Sequence, residues 1–460
     1  MTYQRFVRHL SAAAIILITV ASCGSATTTA DGADVSADTS DAGAGSADVA
    51  APGGDETDGM EEPAADDASQ DEIFRPTDSA APFSTDGGAA SSDANVTIVA
   101  DSPTATLSPL VRSITEPWTT DWSRRTIDDM SVLAAGLQYT DPRDGIPPID
   151  SPRFEPVKAA HNWLEDPSPG AVVVIDDDAR FYPLAIMTRH EIVNDRFGDQ
   201  PIAVTFCPLC NSAVAFDRRV DGEVLRFGVS GLLRNSDLVM WDDKSTSLWQ
   251  QLTGESIVGQ YAGTELTPIS VRILSFGQFA EAYPNGWSLA SDQGFGSTYG
   301  SNPYVGYSSR SEPIGAFFSG TLDDRLPALE RVVGVRTESA NKAFPFTALS
   351  AVGVVNDQVG DVDVAIFWSE GTSDALDGGS IASSRDIGTG VAYNRNVASE
   401  VLTFERSDDG FRDVETGTTW SIAGLGLDGP LEGKSLQPLD QRNDFWFAWA
   451  AFYPDAGLYP

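Results

Sequence analysis

Basic side chains, cysteine and histidine are all scarce in this sequence. Of 460 residues, 29 are Lys or Arg against 67 Asp or Glu, a formal charge of −38. Phosphate binding needs a basic face, so nucleic acid is excluded as a partner. Charge-driven docking on an anionic lipid surface is disfavoured for the same reason. Three Cys exclude a disulfide-dense scaffold, and three His exclude a site built from many imidazoles. Long apolar runs are missing too. The longest, Leu10 to Ala21, is about a dozen residues and too short for a spanning helix. The 22 Phe, 10 Trp and 11 Tyr nevertheless supply enough apolar surface for a sizeable core.

The short apolar run follows Arg5 and Arg8 and ends in Val20-Ala21-Ser22-Cys23. A positive start, an apolar centre and small residues before a cysteine have the order of an export signal. The ending resembles the lipobox of bacterial lipoproteins. The resemblance implies removal of residues 1–22, lipidation of Cys23, and a protein held by that lipid on the extracytoplasmic face of the cell membrane. Residues 23–95 are rich in Ala, Asp, Gly, Ser and Thr, and from Gly24 hold 17 acids against one Arg, Arg75. Such a segment cannot bury enough surface to offset its ordering entropy, and like charges extend it. It reads as a disordered acidic tether.

From residue 96 the composition becomes that of a folded α+β chain, mainly β. Ser123–Leu137 has helical spacing. Ala171–Ile175 and Pro201–Phe206 are β-branched runs, and Asp221-Gly222 marks a hairpin turn. Self-comparison predicts a tandem internal repeat. Phe181-Tyr182-Pro183-Leu184 matches Ala343-Phe344-Pro345-Phe346, and Ile192-Val193-Asn194-Asp195 matches Val354-Val355-Asn356-Asp357. Ser247-Leu248-Trp249 corresponds to Thr418-Thr419-Trp420. The expected organisation is residues 96–290 for an N-terminal helix plus repeat one, 291–310 for a connecting segment, and 311–460 for a degenerate repeat two. Where repeat one has His190-Glu191 and Cys207-Pro208-Leu209-Cys210, repeat two has Val352-Gly353 and, at the cysteine positions, Ser369 and Thr372. The fold therefore does not need these groups, which points to a site.

A Cys-x-x-Cys between two strands aims two thiolates at one point and supplies half of a tetrahedral metal shell. His190 is the natural third ligand, with Glu191, Asp195 or His161 as further support. Sulfur with imidazole suits zinc or copper. Two other readings stay open, a thiol redox pair and a structural disulfide that pins a turn. Thioredoxin-like chemistry places its cysteines at a helix start, whereas Asn211–Asp217 reads as a strand. Asn194-Asp195 and Trp249 recur in repeat two and so read as framework.

Asp144-Gly145-Ile146-Pro147-Pro148-Ile149-Asp150, His190 to Asp195, the Cys207–Cys210 motif, Phe227-Gly228-Val229-Ser230-Gly231 and Ser247-Leu248-Trp249-Gln250-Gln251 fall in one order. Together they resemble the bacterial and archaeal family called domain of unknown function 3179, over residues 120–460. The resemblance implies an exported, often membrane-anchored protein and carries over no catalytic residue. Two function classes remain: a metal or redox centre in repeat one, or a non-catalytic module binding a small-molecule or cell-envelope ligand.

Overall fold

The computed structural model describes residues 109–127, 132–134, 142–296, 298–318 and 320–460. The leader, Cys23 and the acidic tether lie outside them. All described residues belong to one compact unit, Gly88–Pro460. Among them, no helix is long and apolar enough to cross a membrane.

The chain is mainly β, with a few helices of four to seven residues. From Pro169 the order is Pro169–Ile175 and Asp178–Pro183, the helix Leu184–His190, then the strands Ile192–Phe197, Gln200–Cys207 and Ser212–Asp217. Proline fixes the backbone at the strand-to-helix corner, with Pro183 preceding one helix and Pro345 preceding Phe346–Val352. From Arg331 the elements follow in the same order. Sheet order agrees as well. Arg272–Ser275, Pro169–Ile175, Asp178–Pro183 and Trp287–Leu289 lie side by side. So do Asp440–Phe445, Arg331–Arg336, Asn341–Pro345 and Gly457–Leu458. The last pair of each set runs parallel.

Framework contacts match in kind. The Trp249 indole donates to Asp242 at 2.9 Å, and that of Trp420 to Asp413 at 2.9 Å. Asn194 clamps the backbone N–H and C=O of Phe227, as Asn356 clamps those of Phe404. These bonds tie an edge strand of each sheet to a neighbouring hairpin, so both asparagines serve the framework. The halves also exchange contacts. The buried Arg272 donates to the Ala423 carbonyl at 2.8 Å, and the buried Arg442 to the Leu252 carbonyl at 3.0 Å. Two apolar clusters hold residues of both halves, so burial that stabilises one half depends on the other.

One sequence expectation fails. Within 123–137 no described residue is helical, and Val132–Ala134 is a strand paired with Leu232–Arg234. Trp118, Trp122 and Ile127 instead pack on Leu232, Val239 and Leu248. An available sheet edge and an apolar surface outweigh local helix spacing, which is a weak prior.

Candidate metal centre

Gln200–Cys207 and Ser212–Asp217 pair antiparallel, with Cys207 opposite Ser212. Between them the chain makes a tight knuckle. Cys210 N–H donates to the Cys207 carbonyl at 3.2 Å, and Asn211 takes a left-handed φ of 56°. Both cysteines are buried and unbridged. The turn places both sulfurs on one side, where a third group meets them. The Cys207 and Cys210 sulfurs and a carboxylate oxygen of Asp237 all lie within 4.8 Å of one another.

Asp237 arrives from far along the chain. Phe227–Arg234 and Asp237–Asp242 form a hairpin turned by Asn235 and Ser236, both at positive φ. A two-residue turn of that kind suits asparagine and matches the strand twist. The hairpin of the second half, Phe404–Ser407 with Gly410–Asp413, is shorter. The longer one brings its tip over the knuckle, where the Cys207 thiol lies 3.6 Å from the Ser236 carbonyl it donates to. One oxygen of Asp237 accepts from Gln250 and from Leu252 N–H at 2.9 Å. The other, Oδ1, is buried without a hydrogen-bond partner. Gln251 donates to Thr205 and the Ser212 carbonyl, so the Gln250-Gln251 pair braces both walls of the centre.

Two further acids stand close enough to be felt. Glu191 follows the helix Leu184–His190 at φ 57°, where the second half has Gly353 at φ 76°. A non-glycine residue pays strain there, and such strain concentrates at functional positions. Asp444 comes from the second half. Its neighbour Phe445 donates N–H to the Cys210 carbonyl at 2.9 Å, and neither of its own oxygens has a hydrogen-bond partner.

Burial is the main cause of each titration shift. It lifts Asp237 to about 6, Asp444 to about 7 and Glu191 to about 8. Charge repulsion adds to this, from Asp237 onto Glu191 and Asp444. Hydrogen bonds to Asp237, the Arg442 charge beside Asp444 and the Tyr304 hydroxyl beside Glu191 oppose the rise. Both thiols are pushed up by the same desolvation, with Asp237 repelling their anionic forms. Five acidic groups are thus buried within reach of one another's charge. A cation reverses that balance, because coordination ionises thiols and satisfies orphaned carboxylate oxygens.

The other sequence candidates sit elsewhere. His190 is buried, with Nδ1 2.7 Å from the Pro147 carbonyl and Nε2 2.8 Å from the Tyr299 hydroxyl. Burial lowers its pKa, and both ring nitrogens are engaged outside the Cys207–Cys210–Asp237 group. The group that meets the two sulfurs is Asp237, not the expected His190. Asp195 is held by Arg180 at 2.8 Å and Tyr182 at 2.6 Å. His161 is exposed and rests against the Phe276 ring, 4.7 Å between centroids. Glu191 borders the centre through its effect on Asp237 but is not in the donor group. Asp237, Asp444 and Tyr304 escaped the sequence reading. For Asp237 there was a signal, the Asn235-Ser236 turn in a hairpin longer than its counterpart.

A family model described as a protein of unknown function, DUF3179, matches residues 143–456. No curated protein and no solved structure matches the chain. The match covers most of the chain, which belongs to the DUF3179 family.

Proposed function

We propose that this DUF3179 protein holds one divalent transition metal, best matched by zinc, through Cys207, Cys210 and Asp237. The observation that carries the reading is the Asp237 Oδ1 atom, buried without a partner beside two sulfurs. Ligand atoms around tetrahedral zinc lie roughly 3.3–3.8 Å apart, given bonds of about 2.0–2.3 Å. A group already within 4.8 Å needs only a small contraction. Two thiolates with a carboxylate favour zinc over copper(I), which prefers an all-soft shell. Three protein donors leave one position open, the arrangement of zinc sites that bind a further ligand.

The same reading extends to the setting. The two halves are a duplicated unit in which only the first keeps the centre, supported by their shared element order and matched framework bonds. Lipid on Cys23 anchors the protein outside the cytoplasm, supported by the leader's charge and apolar pattern. A thiol redox pair is the second reading, favoured by the two adjacent, unbridged sulfurs.

Elemental analysis of the whole chain, purified without chelator or affinity metal, tests the proposal beside the Cys207→Ser/Cys210→Ser variant. Near-stoichiometric zinc or copper, lost in the variant, is expected. No metal in either sample overturns it. Reversible closure of a Cys207–Cys210 disulfide would then favour the redox pair, and a permanently closed one a staple.

A further inference from the structure

The segment joining the halves runs beside the centre. Tyr299, Tyr304 and Tyr307 all pack against the apolar cluster that contains Cys207 and Cys210. The Tyr299 hydroxyl meets His190 Nε2 at 2.8 Å, and Phe295 lies against the same imidazole with 4.6 Å between centroids. Tyr307 donates to the carbonyl of Leu209, inside the knuckle, at 2.8 Å. Tyr304 stands beside Glu191, so three tyrosines within nine residues meet His190, Glu191 and the knuckle, all missing from the second half.

The backbone of the segment is held differently. Its hydrogen bonds run to another loop, from Asn302 to Gly379, from Gly306 to Asp377, and from Tyr307 to Leu376. Two polar bonds tie it to the helix before Glu191, from Arg189 to Ser301 and between the Tyr299 hydroxyl and His190 Nε2. Gly300 and Gly306 stand at φ 104° and 74°, with nothing within 4 Å of where a Cβ would sit. On the outer side of Tyr299 lies a pocket of about 300 Å³, lined by Trp163, Ala185, Ser301 and Ser380 among others. Tyr299 thus lines a surface pocket while Tyr307 reaches the knuckle, on a backbone hydrogen-bonded to residues 376–379.

We infer that residues 299–307 are a strap that opens to admit ligand to the Cys207–Cys210 centre, with Tyr304 and Tyr307 as its latches. The inference rests on the reading of that pair as a working centre. Opening by loss of side-chain contacts is a local event, reached at lower free energy than global unfolding. Thiol reagents report it directly, because neither sulfur is reachable in the closed state.

The test is the rate of iodoacetamide labelling of Cys207 and Cys210 in the whole chain, reduced and metal-stripped, read by peptide mass. The Tyr304→Phe/Tyr307→Phe variant removes both hydroxyls and keeps the rings. Loss of one buried hydrogen bond shifts an opening equilibrium by about five- to tenfold. Gly300→Ala and Gly306→Ala strain the strap without filling space. Gly222→Ala is the control, with φ 83° and open surroundings in a hairpin turn elsewhere. Strap variants are expected to label about tenfold faster, and the control within twofold of the parent, at matched denaturant midpoints. Labelling that follows global stability alike in all variants, or does not change, overturns the strap. The two readings fail separately. Metal-free samples with a preserved labelling ratio refute only the metal, and stoichiometric zinc with an unchanged ratio refutes only the strap.

Discussion

The knuckle and the framework of the second half handle buried acid in opposite ways. In the second half, Asp374 is fully buried but receives Arg331 at 2.8 Å, Arg385 at 3.0 Å and the Ser308 hydroxyl at 2.6 Å. Asp413 accepts from Trp420, from Thr416 and from the Gly417 N–H. Both carboxyls are held below the usual range, their partners outweighing burial. At the first-half knuckle, Asp237, Glu191 and the incoming Asp444 are lifted instead, and three of their oxygens lack a hydrogen-bond partner. One sequence family of elements can thus neutralise a buried carboxylate with arginine and backbone N–H groups. Its failure to do so at the knuckle is what supports the proposal of a bound cation there.

The largest effects should come from the contacts both halves share. Trp249→Ala and Trp420→Ala each remove a fully buried indole and one hydrogen bond to a buried aspartate, and each should cost about 3–5 kcal/mol in denaturant unfolding. Similar losses in the two variants would support equivalent frameworks; a large loss in one alone would break the comparison. Asp374→Asn should cost about as much, ~3–5 kcal/mol, because Arg331 stays buried with its partner charge gone. That variant should leave metal content unchanged. Metal lost with it would mean the second half controls the centre.

The next comparison is pH. A carboxyl raised by folding binds its proton more tightly in the folded chain than in the unfolded one. Between the ordinary carboxylate range and the raised values, the unfolded state releases protons that the folded state keeps. Stability of the metal-free chain should therefore fall as pH rises from about 4 to about 8, by up to ~1.4 kcal/mol per pH unit for each such group. Asp374 and Asp413 act with the opposite sign, and their contribution disappears as pH falls below the ordinary carboxylate range. Urea midpoints across pH with and without zinc measure both. Zinc should protect most at high pH, where ionised ligands bind it best. A metal-free chain most stable at pH 8 would refute the unbalanced cluster.

What the sequence could disclose was local. The β-branched runs, the Asp221-Gly222 turn and the strand after the cysteines are properties of neighbouring residues, and they fold as such. The knuckle was legible for the same reason. Asp237 and Asp444 were not, because they reach the sulfurs from 27 and 234 residues beyond Cys210, through a hairpin register and a contact between halves. His190 looked like a ligand because only its neighbours in the chain were visible. The Pro147 carbonyl and Tyr299 hydroxyl that occupy its ring nitrogens come from distant segments. The helix expected over 123–137 failed on the same ground, since a sheet edge formed by residues 232–234 captured part of it.

The smallest predicted effect is the sharpest probe of the comparison. Glu191→Gly gives the first half the residue that the second half carries at Gly353. The change relieves a left-handed backbone at φ 57° and removes a carboxyl that is costly to bury. Both consequences stabilise the metal-free fold, the first by about 1 kcal/mol. A residue kept only for structure would not be missed, and the variant would gain stability at no other cost. A residue that serves the centre should lose something else: zinc held less tightly in competition with a chelator, and a flatter dependence of the metal-free chain's stability on pH between about 5 and 8. Greater stability with weaker zinc binding is the expected pair of results. Greater stability with zinc binding unchanged would place Glu191 outside the function and leave Cys207, Cys210 and Asp237 to act without it.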